Sequence, residues 1–138
     1  MSAAPIAFLG QPEPGARRPF SLATRAAGLV FVSGQSAPHD PAHGVHRGES
    51  AAEQVRGALA FVTSILRDAG SDLDRVVQMT MLITDPADYH DCNAEYVKHF
   101  PGGLPARHTA RFGVPQPAGD PRAAKVAFAA IALAGENP

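Results

Sequence analysis

Tryptophan is absent from the 138 residues, and cysteine occurs once, as Cys92. A single thiol excludes a disulfide framework and a thiolate metal cage within the chain. Chemistry beyond carboxylates and hydroxyls therefore falls to histidine or arginine. An excess of one charge is missing as well: 12 Lys+Arg stand against 13 Asp+Glu, for a net charge of -1. Such a balance points to no nucleic acid or other polyanion as partner. Long apolar runs are lacking too, and KVAFAAIALAG, at 125–135, is far too short to cross a bilayer. The opening MSAAPIAFLGQPEPG has no basic start followed by an apolar block, so the expectation is a cytoplasmic protein with no membrane contact. No G-x-G-x-x-G, Walker loop, G-x-S-x-G or H-E-x-x-H occurs, which removes the dinucleotide, nucleotide, serine hydrolase and zinc protease classes.

What is present is an ordinary globular composition, with 45% hydrophobic and 18% charged residues, at the usual size of one domain. Residues 1–18 read as an N-terminal segment, 19–135 as the domain and 136–138 as a tail, with the Pro- and Gly-rich 10–19 stretch as a loop. Two short strands, Phe20 to Arg25 and Leu29 to Ser33, join at Ala27-Gly28 in the manner of a hairpin. Ser50 and Glu53 form an S-x-x-E capping box, in which each side chain satisfies a backbone N–H of the first helical turn. Apolar residues from Val55 to Ala69 then recur at three- and four-residue steps until Gly70. RVVQMTMLIT, β-branched and nearly all apolar, suits a strand covered on both faces. Asp85-Pro86 starts a second helix, whose buried face is expected from Tyr89, Cys92, Tyr96, Val97 and Phe100. Strands at 107–114 and 125–134 complete a β-β-α-β-α-β-β order. Two helices cover only one face of a sheet, so another subunit is the expected cover for the second.

The candidate chemistry gathers in LPARHTARFGVP, at 104–115. Strand alternation puts Arg107, Thr109, Arg111 and Gly113 on one face, and His108, Ala110, Phe112 and Val114 on the other, which reads as core. An arginine at the mouth of such a strand has a planar fork suited to a carboxylate, and it equally suits a surface or intersubunit ion pair. His39, His43 and His46 cluster in a polar loop without a nearby fourth ligand or a rigid frame, so no metal is expected there. His90 and His99 read as solvent-facing, and Cys92 as a small core residue with no base beside it. Ser33-Gly34-Gln35 ends the second strand, where a glycine either serves a tight turn or admits a ligand close to the backbone.

Taken as a set, FVSGQ at 31–35, LRDAGSDLDRVVQMTMLITD at 66–85, Asn93, Tyr96 and Phe100 in N-x-x-Y-x-x-x-F, and LPARHT at 104–109 resemble the Rid, or YjgF-type, family. The resemblance runs in order over roughly residues 19 to 134. It implies an α+β, chorismate mutase-like domain with a mixed sheet and two helices on one face. It further implies a homotrimer with a central barrel and clefts between subunits. The implied activity is hydrolysis of reactive amino-acid enamines or imines, or of an aminomuconate-type relative, to oxo acids and ammonia without metal or organic cofactor. Arg107 falls on the family's substrate-binding arginine and would hold the carboxylate of a small-molecule substrate. Gly34 and Thr109 fall where backbone groups line the cleft, with Ser33 and Phe20 beside them. Two residues depart from the pattern: Ala129 stands where the deaminase subgroup carries a glutamate, and Phe20 where a cleft tyrosine is usual. A trimer of the same fold that only binds small carboxylates, or acts in regulation or as a chaperone, is the competing expectation.

Overall fold

The computed structural model describes residues 5–113 and 123–135. Six strands, β1 (Ala7–Leu9), β2 (Ala23–Ala26), β3 (Leu29–Ser36), β4 (Val76–Ile83), β5 (Ala106–Arg111) and β6 (Val126–Leu133), form one mixed sheet in the order β1-β2-β3-β6-β4-β5. Only the β4–β5 pair is parallel. The helices are α1 (Ala51–Asp68) and α2 (Tyr89–Tyr96), the latter flanked by 3-10 turns at Pro86–Asp88 and Val97–His99. This is the single α+β domain that the sequence announces.

Half of the capping box forms as read: Ser50 Oγ accepts the Glu53 N–H at 3.1 Å, whereas the Glu53 carboxylate, expected to take a backbone N–H, accepts instead from the Ser50 hydroxyl at 3.0 Å. From that start α1 buries Val55, Ala58, Leu59, Val62, Ile65 and Leu66 against the sheet. On the sheet side the same core takes Val30, Val32, Met79, Met81, Ile83, Val126, Phe128, Ala130 and Ala132. These are alternate residues of their strands, as one covered face requires. Gln54 is also buried, and its amide closes the end of β6, accepting from Lys125 N–H at 2.7 Å and donating to Ala123 O at 3.2 Å.

Several expectations are corrected. The sheet begins earlier than Phe20, because Ala7–Leu9 pairs antiparallel with β2, and β2 itself starts only at Ala23. On α2, Cys92, Tyr96 and Phe100 are buried, but Tyr89 and Val97 are exposed, and Glu95 takes the inward position instead. The face of β5 read as core is not core: His108 and Ala110 are exposed and Phe112 is half-buried, because β5 is an edge strand with no element packed over that face among the described residues. Val114 lies outside the described residues. The strands expected to be apolar on both faces, β4 and β6, do leave large side chains uncovered, Val77 and Leu133 among them.

The hairpin between β2 and β3 turns at Ala27 (φ 54) and Gly28 (φ 77), between the paired Ala26 and Leu29. Two consecutive left-handed residues define the turn that matches strand twist, and a Cβ-bearing alanine is strained there. Asparagine tolerates that conformation and alanine does not. We expect Ala27→Asn to raise stability by about 0.5–1 kcal/mol, read as a higher urea midpoint at unchanged slope; an unchanged or lowered midpoint would contradict the strain.

Candidate functional site

Arg107 is the second residue of β5, and its register partner on β4 is Met79, a core residue. Its side chain therefore points to the helix-covered face, where the guanidinium carbon sits 4.8 Å from the centre of the Tyr96 ring. That ring rests on Phe128, at 5.8 Å and nearly parallel, and against Phe100 at 4.8 Å. A column of buried rings thus rises from the centre of the sheet and ends under the guanidinium. The N-x-x-Y-x-x-x-F spacing is explained by this column, since Tyr96 and Phe100 lie one turn apart on the inner side of the second helical segment. Burial pushes the Tyr96 hydroxyl above its usual pKa, with Arg107 pulling the other way.

What separates Arg107 from most of the other arginines is its lack of an engaged acceptor. Arg18 donates to Gly10 O and Phe20 O, Arg25 to Ala69 O and Gly135 O, and Arg47 to Ala37 O. Arg56 and Arg67 bind Glu95 and Asp72, and Arg75 binds Leu133 O and Ala134 O. Arg107 is half-buried yet pairs with no carboxylate or carbonyl among the described residues, whereas Arg17 and Arg111 are simply exposed. A guanidinium whose face is against a ring keeps its edge donors for a planar anion.

Thr109 follows on the same face, beside Met81. Phe112 N–H donates to Ile83 O across the β4 side, so by alternation the backbone groups of Thr109 point away from β4, to the open edge. On β3, Ser33 and Gly34 stand between Val32, paired with Ala130, and Gln35, paired with Phe128. Two residues there oppose the single Ala129, which is a bulge. A Cβ at Gly34 would meet nothing within 4 Å, so packing within this chain does not require glycine at that position. Ser33 Oγ donates to Ser21 O at 2.7 Å and, with Phe20, lines a cleft of 520 Å³ beside β1, β2 and β3.

Arg107 and Thr109 are therefore not brought together with Phe20 and Ser33 in one chain. β3 and β5 are three strand spacings apart, about 14 Å. Among the described residues no carboxylate stands on the strands between them: the uncovered side of β6 carries Ala127, Ala129, Ile131 and Leu133. Thr80 pairs with both Ala129 and His108, so His108 shares their uncovered face and is turned from Arg107, as alternation predicts. In the polar loop, His43 Nδ1 contacts Asp40 Oδ2 at 2.7 Å, and His39 accepts from Arg47 N–H at 3.3 Å. Among the described residues no group of three His, Cys, Asp or Glu is placed to hold a metal ion.

Two residues were not found by sequence reasoning. Phe8, from β1, walls the cleft, and its three-residue strand carries no periodic signal. Glu95 is buried, with Arg56 at 3.1 Å, Lys98 at 3.6 Å and His99 at 2.9 Å. Burial pushes this carboxyl upward, but the His99 hydrogen bond, Lys98 and Arg56 prevail and hold it below the usual carboxylate range. His99, expected to face solvent, is thus part of an ion cluster that pins α2 to α1. His90 is exposed.

The family described as Endoribonuclease L-PSP, the YjgF group, matches residues 10–131. A RutC family protein, y4sK of Sinorhizobium fredii, is 43% identical over 94 residues, which are 68% of this chain and 74% of that protein. The 2-iminobutanoate/2-iminopropanoate deaminase of Mus musculus is 34% identical over 122 residues, 88% of this chain and 86% of that protein. Among solved structures, a YjgF-family protein of Neisseria meningitidis superposes with a TM-score of 0.76 at 27% identity, over 96% of this chain and 97% of its own. Yeast Mmf1 does so at 0.76 and 26% identity, over 95% of this chain and all of its own.

Cys92 is buried on α2, with Asp91 on the same helix and Asp88 at its N-cap. Burial, then Asp88 and Asp91, push its thiol up to about 11, against the opposing pull of Arg107 and Lys125. At pH 8 the thiolate fraction is then about 100-fold below that of an unfolded thiol. We expect a thiol reagent to modify the native chain at least about 100-fold more slowly than the chain in denaturant. The unfolded thiol loses its proton first, so Cys92 also removes stability as pH rises from 9.0 to about 11. Rapid modification of the folded protein would refute this burial.

Proposed function

The chain belongs to the YjgF (Rid) family, and we propose that it is a cofactor-independent imine deaminase that grips its substrate's carboxylate with Arg107. The observation that carries this reading is the guanidinium backed by Tyr96 and committed to no acceptor among the described residues. With one face against the ring, its edge is free for a bidentate carboxylate. The name of the mouse relative supports the same chemistry.

The reaction needs no redox partner. Water adds to the carbon of the C=N bond, the resulting amino alcohol loses ammonia as the C–N bond breaks, and a C=O bond remains. Arg107 would fix the carboxylate, and the outward backbone groups of Thr109 and the bulge at Ser33-Gly34 would orient substrate and water. An imine protonated at nitrogen is already electrophilic, so the absence of a carboxylate at Ala127 and Ala129 lowers the rate without removing the route. Acid–base groups of that kind contribute about 10²- to 10⁴-fold.

A small amino-acid imine spans only about 5 Å, from bonds near 1.5 Å. That is much less than the roughly 14 Å between β3 and β5. The two half-sites of one chain therefore cannot share one molecule. A second copy, with its β5 edge against the β1–β3 side of the first, would complete the cleft and cover apolar side chains such as Val77 and Leu133. A homotrimer is the assembly this reading adopts.

The test is hydrolysis of imines generated in situ by an amino-acid oxidase, followed as loss of semicarbazide-trappable imine. Arg107→Ala is expected to lower kcat/KM about 100-fold or more, the usual cost of removing one partner of a charge pair. A mixture of Arg107→Ala and Gly34→Trp chains should regain part of the activity, because one hybrid interface carries both intact halves. Full activity in Arg107→Ala would remove the carboxylate clamp. No turnover in wild type, together with ligand-dependent stabilisation by 2-oxo acids, would favour the non-catalytic carboxylate-binding trimer.

Tyr96 is a positioning residue in this scheme. Tyr96→Phe keeps the platform and is expected to leave KM within about threefold, whereas Tyr96→Leu should raise KM about tenfold, a cation–π contribution of roughly 1–2 kcal/mol. Equal KM values in the two variants, both folded, would show that the ring does not hold the guanidinium.

A further inference from the structure

Three phenylalanines line the cleft beside β1, β2 and β3 and are largely uncovered: Phe8 is 58% exposed, Phe20 48% and Phe31 40%. Two of them are set by strand register. Phe8 pairs with Thr24, and Thr24 pairs with Phe31, so all three residues stand in one row on the uncovered face. Phe8 and Phe31 are then two strand spacings apart, about 10 Å, with the short Thr24 as the floor between them. Stacked or tilted aromatic rings sit about 4.5–7 Å apart between centres. A slot about 10 Å wide between two rings thus admits one further ring, in contact with both. A methyl group in the same slot would leave most of it to water.

The remaining lining is neutral. Gln11, Ser21, Thr24 and Ser33 supply its polar side chains, and no charged side chain is part of it. Arg18 comes nearest, 5.8 Å from the Phe20 ring centre, but it donates to Gly10 O at 2.9 Å and to Phe20 O at 2.6 Å. Its charge is used to hold the 10–20 loop against the strand. Gly10, whose carbonyl Arg18 binds, has a φ of 63, and a Cβ there would lie 2.7 Å from Leu22.

We propose that this cleft is a side-chain subsite for an aromatic ring, so that the preferred substrates are imines of phenylalanine-class amino acids rather than of alanine or serine. The inference rests on the deaminase reading for its reaction, and on the slot between Phe8 and Phe31 for its specificity. An acidic or basic substrate side chain would be stripped of water there without a partner, and is rejected. A ring gains contact with both walls, whereas hydrophobic discrimination reaches about tenfold for as little as one methylene.

The experiment compares phenylalanine-, leucine- and alanine-derived imines, generated by an amino-acid oxidase, on wild type, Phe8→Ala and Thr24→Phe. Beside the kinetics, the melting temperature is read with phenylpyruvate or pyruvate added, which does not depend on turnover. We expect kcat/KM for the phenylalanine-derived imine to exceed that for the alanine-derived one at least tenfold. Phe8→Ala should reduce this ratio about tenfold, and Thr24→Phe, which fills the slot, should abolish it. Phenylpyruvate should raise the melting temperature more than pyruvate does in wild type only. If all imines are hydrolysed at similar rates, the subsite is overturned while the deaminase reading stands. If none is hydrolysed but phenylpyruvate still stabilises in a Phe8-dependent way, the subsite stands and the deaminase reading falls. If neither turnover nor selective stabilisation is seen, both fail.

Discussion

Two helices, one of eighteen and one of eight residues, cover a single face of a six-stranded sheet. Every strand is therefore split by its two-residue alternation into a set that must be apolar and a set free to be something else. Met79, Met81 and Ile83 belong to the first set on β4, and Gln78, Thr80 and Leu82 to the second. Arg107 is the exception that this constraint makes informative. It stands on the covered face, next to Met79, where a charge is costly unless something accommodates it. At the β5 edge the cover thins, and the Tyr96 ring takes the guanidinium face. Phe128 and Phe100 fix that ring in turn, so the direction of the guanidinium is inherited from the densest part of the core.

An arginine can be held by its edge or by its face, and the two leave different chemistry behind. Arg56 is held by its edge on Glu95, and its donors are consumed. Arg25 is likewise spent on the carbonyls of Ala69 and Gly135, where it ties β2 to the end of α1 and to the chain beyond β6. Arg107 is held by its face, which contributes roughly 0.5–2 kcal/mol and leaves the donors unspent. The same residue type is thus structural at several positions and available for recognition at Arg107. The neighbours decide which.

This difference sets what the sequence could reveal. The Ser50-Glu53 box, the α1 stripe and the bounds of β4 were legible, because each rests on local chemistry or on a long regular period. β1 was not legible, since three residues carry no period and the strand exists only through its pairing with β2. The inward position of Glu95 was hidden for a related reason: it depends on Arg56, 39 residues away, and on His99. Alternation correctly put His108 opposite Arg107 on β5. It could not tell that the described residues leave the His108 face bare, because alternation assigns faces and says nothing about cover. In the same way the motif singled out Arg107 as a candidate, but the Tyr96 platform beneath it is a contact between elements with no mark in either segment.

The bulge on β3 shows how an irregularity connects these levels. Opposite Ser33 and Gly34 stands Ala129, and beside it Thr80, so small residues surround the point where two residues face one. The result is a hollow of 220 Å³ lined by Gln78, Thr80 and Ala129 among others, with an amide and a hydroxyl but no ionisable group. A glutamate on the uncovered side of β6 would fill part of that hollow and bring a proton carrier with it. Alanine leaves room and neutral polar partners, which is enough to seat water but not to deprotonate it. In the proposed reaction the burden would then move to the substrate: an imine already protonated at nitrogen would ask the protein only for position, and position is what an arginine rooted in an aromatic core could supply.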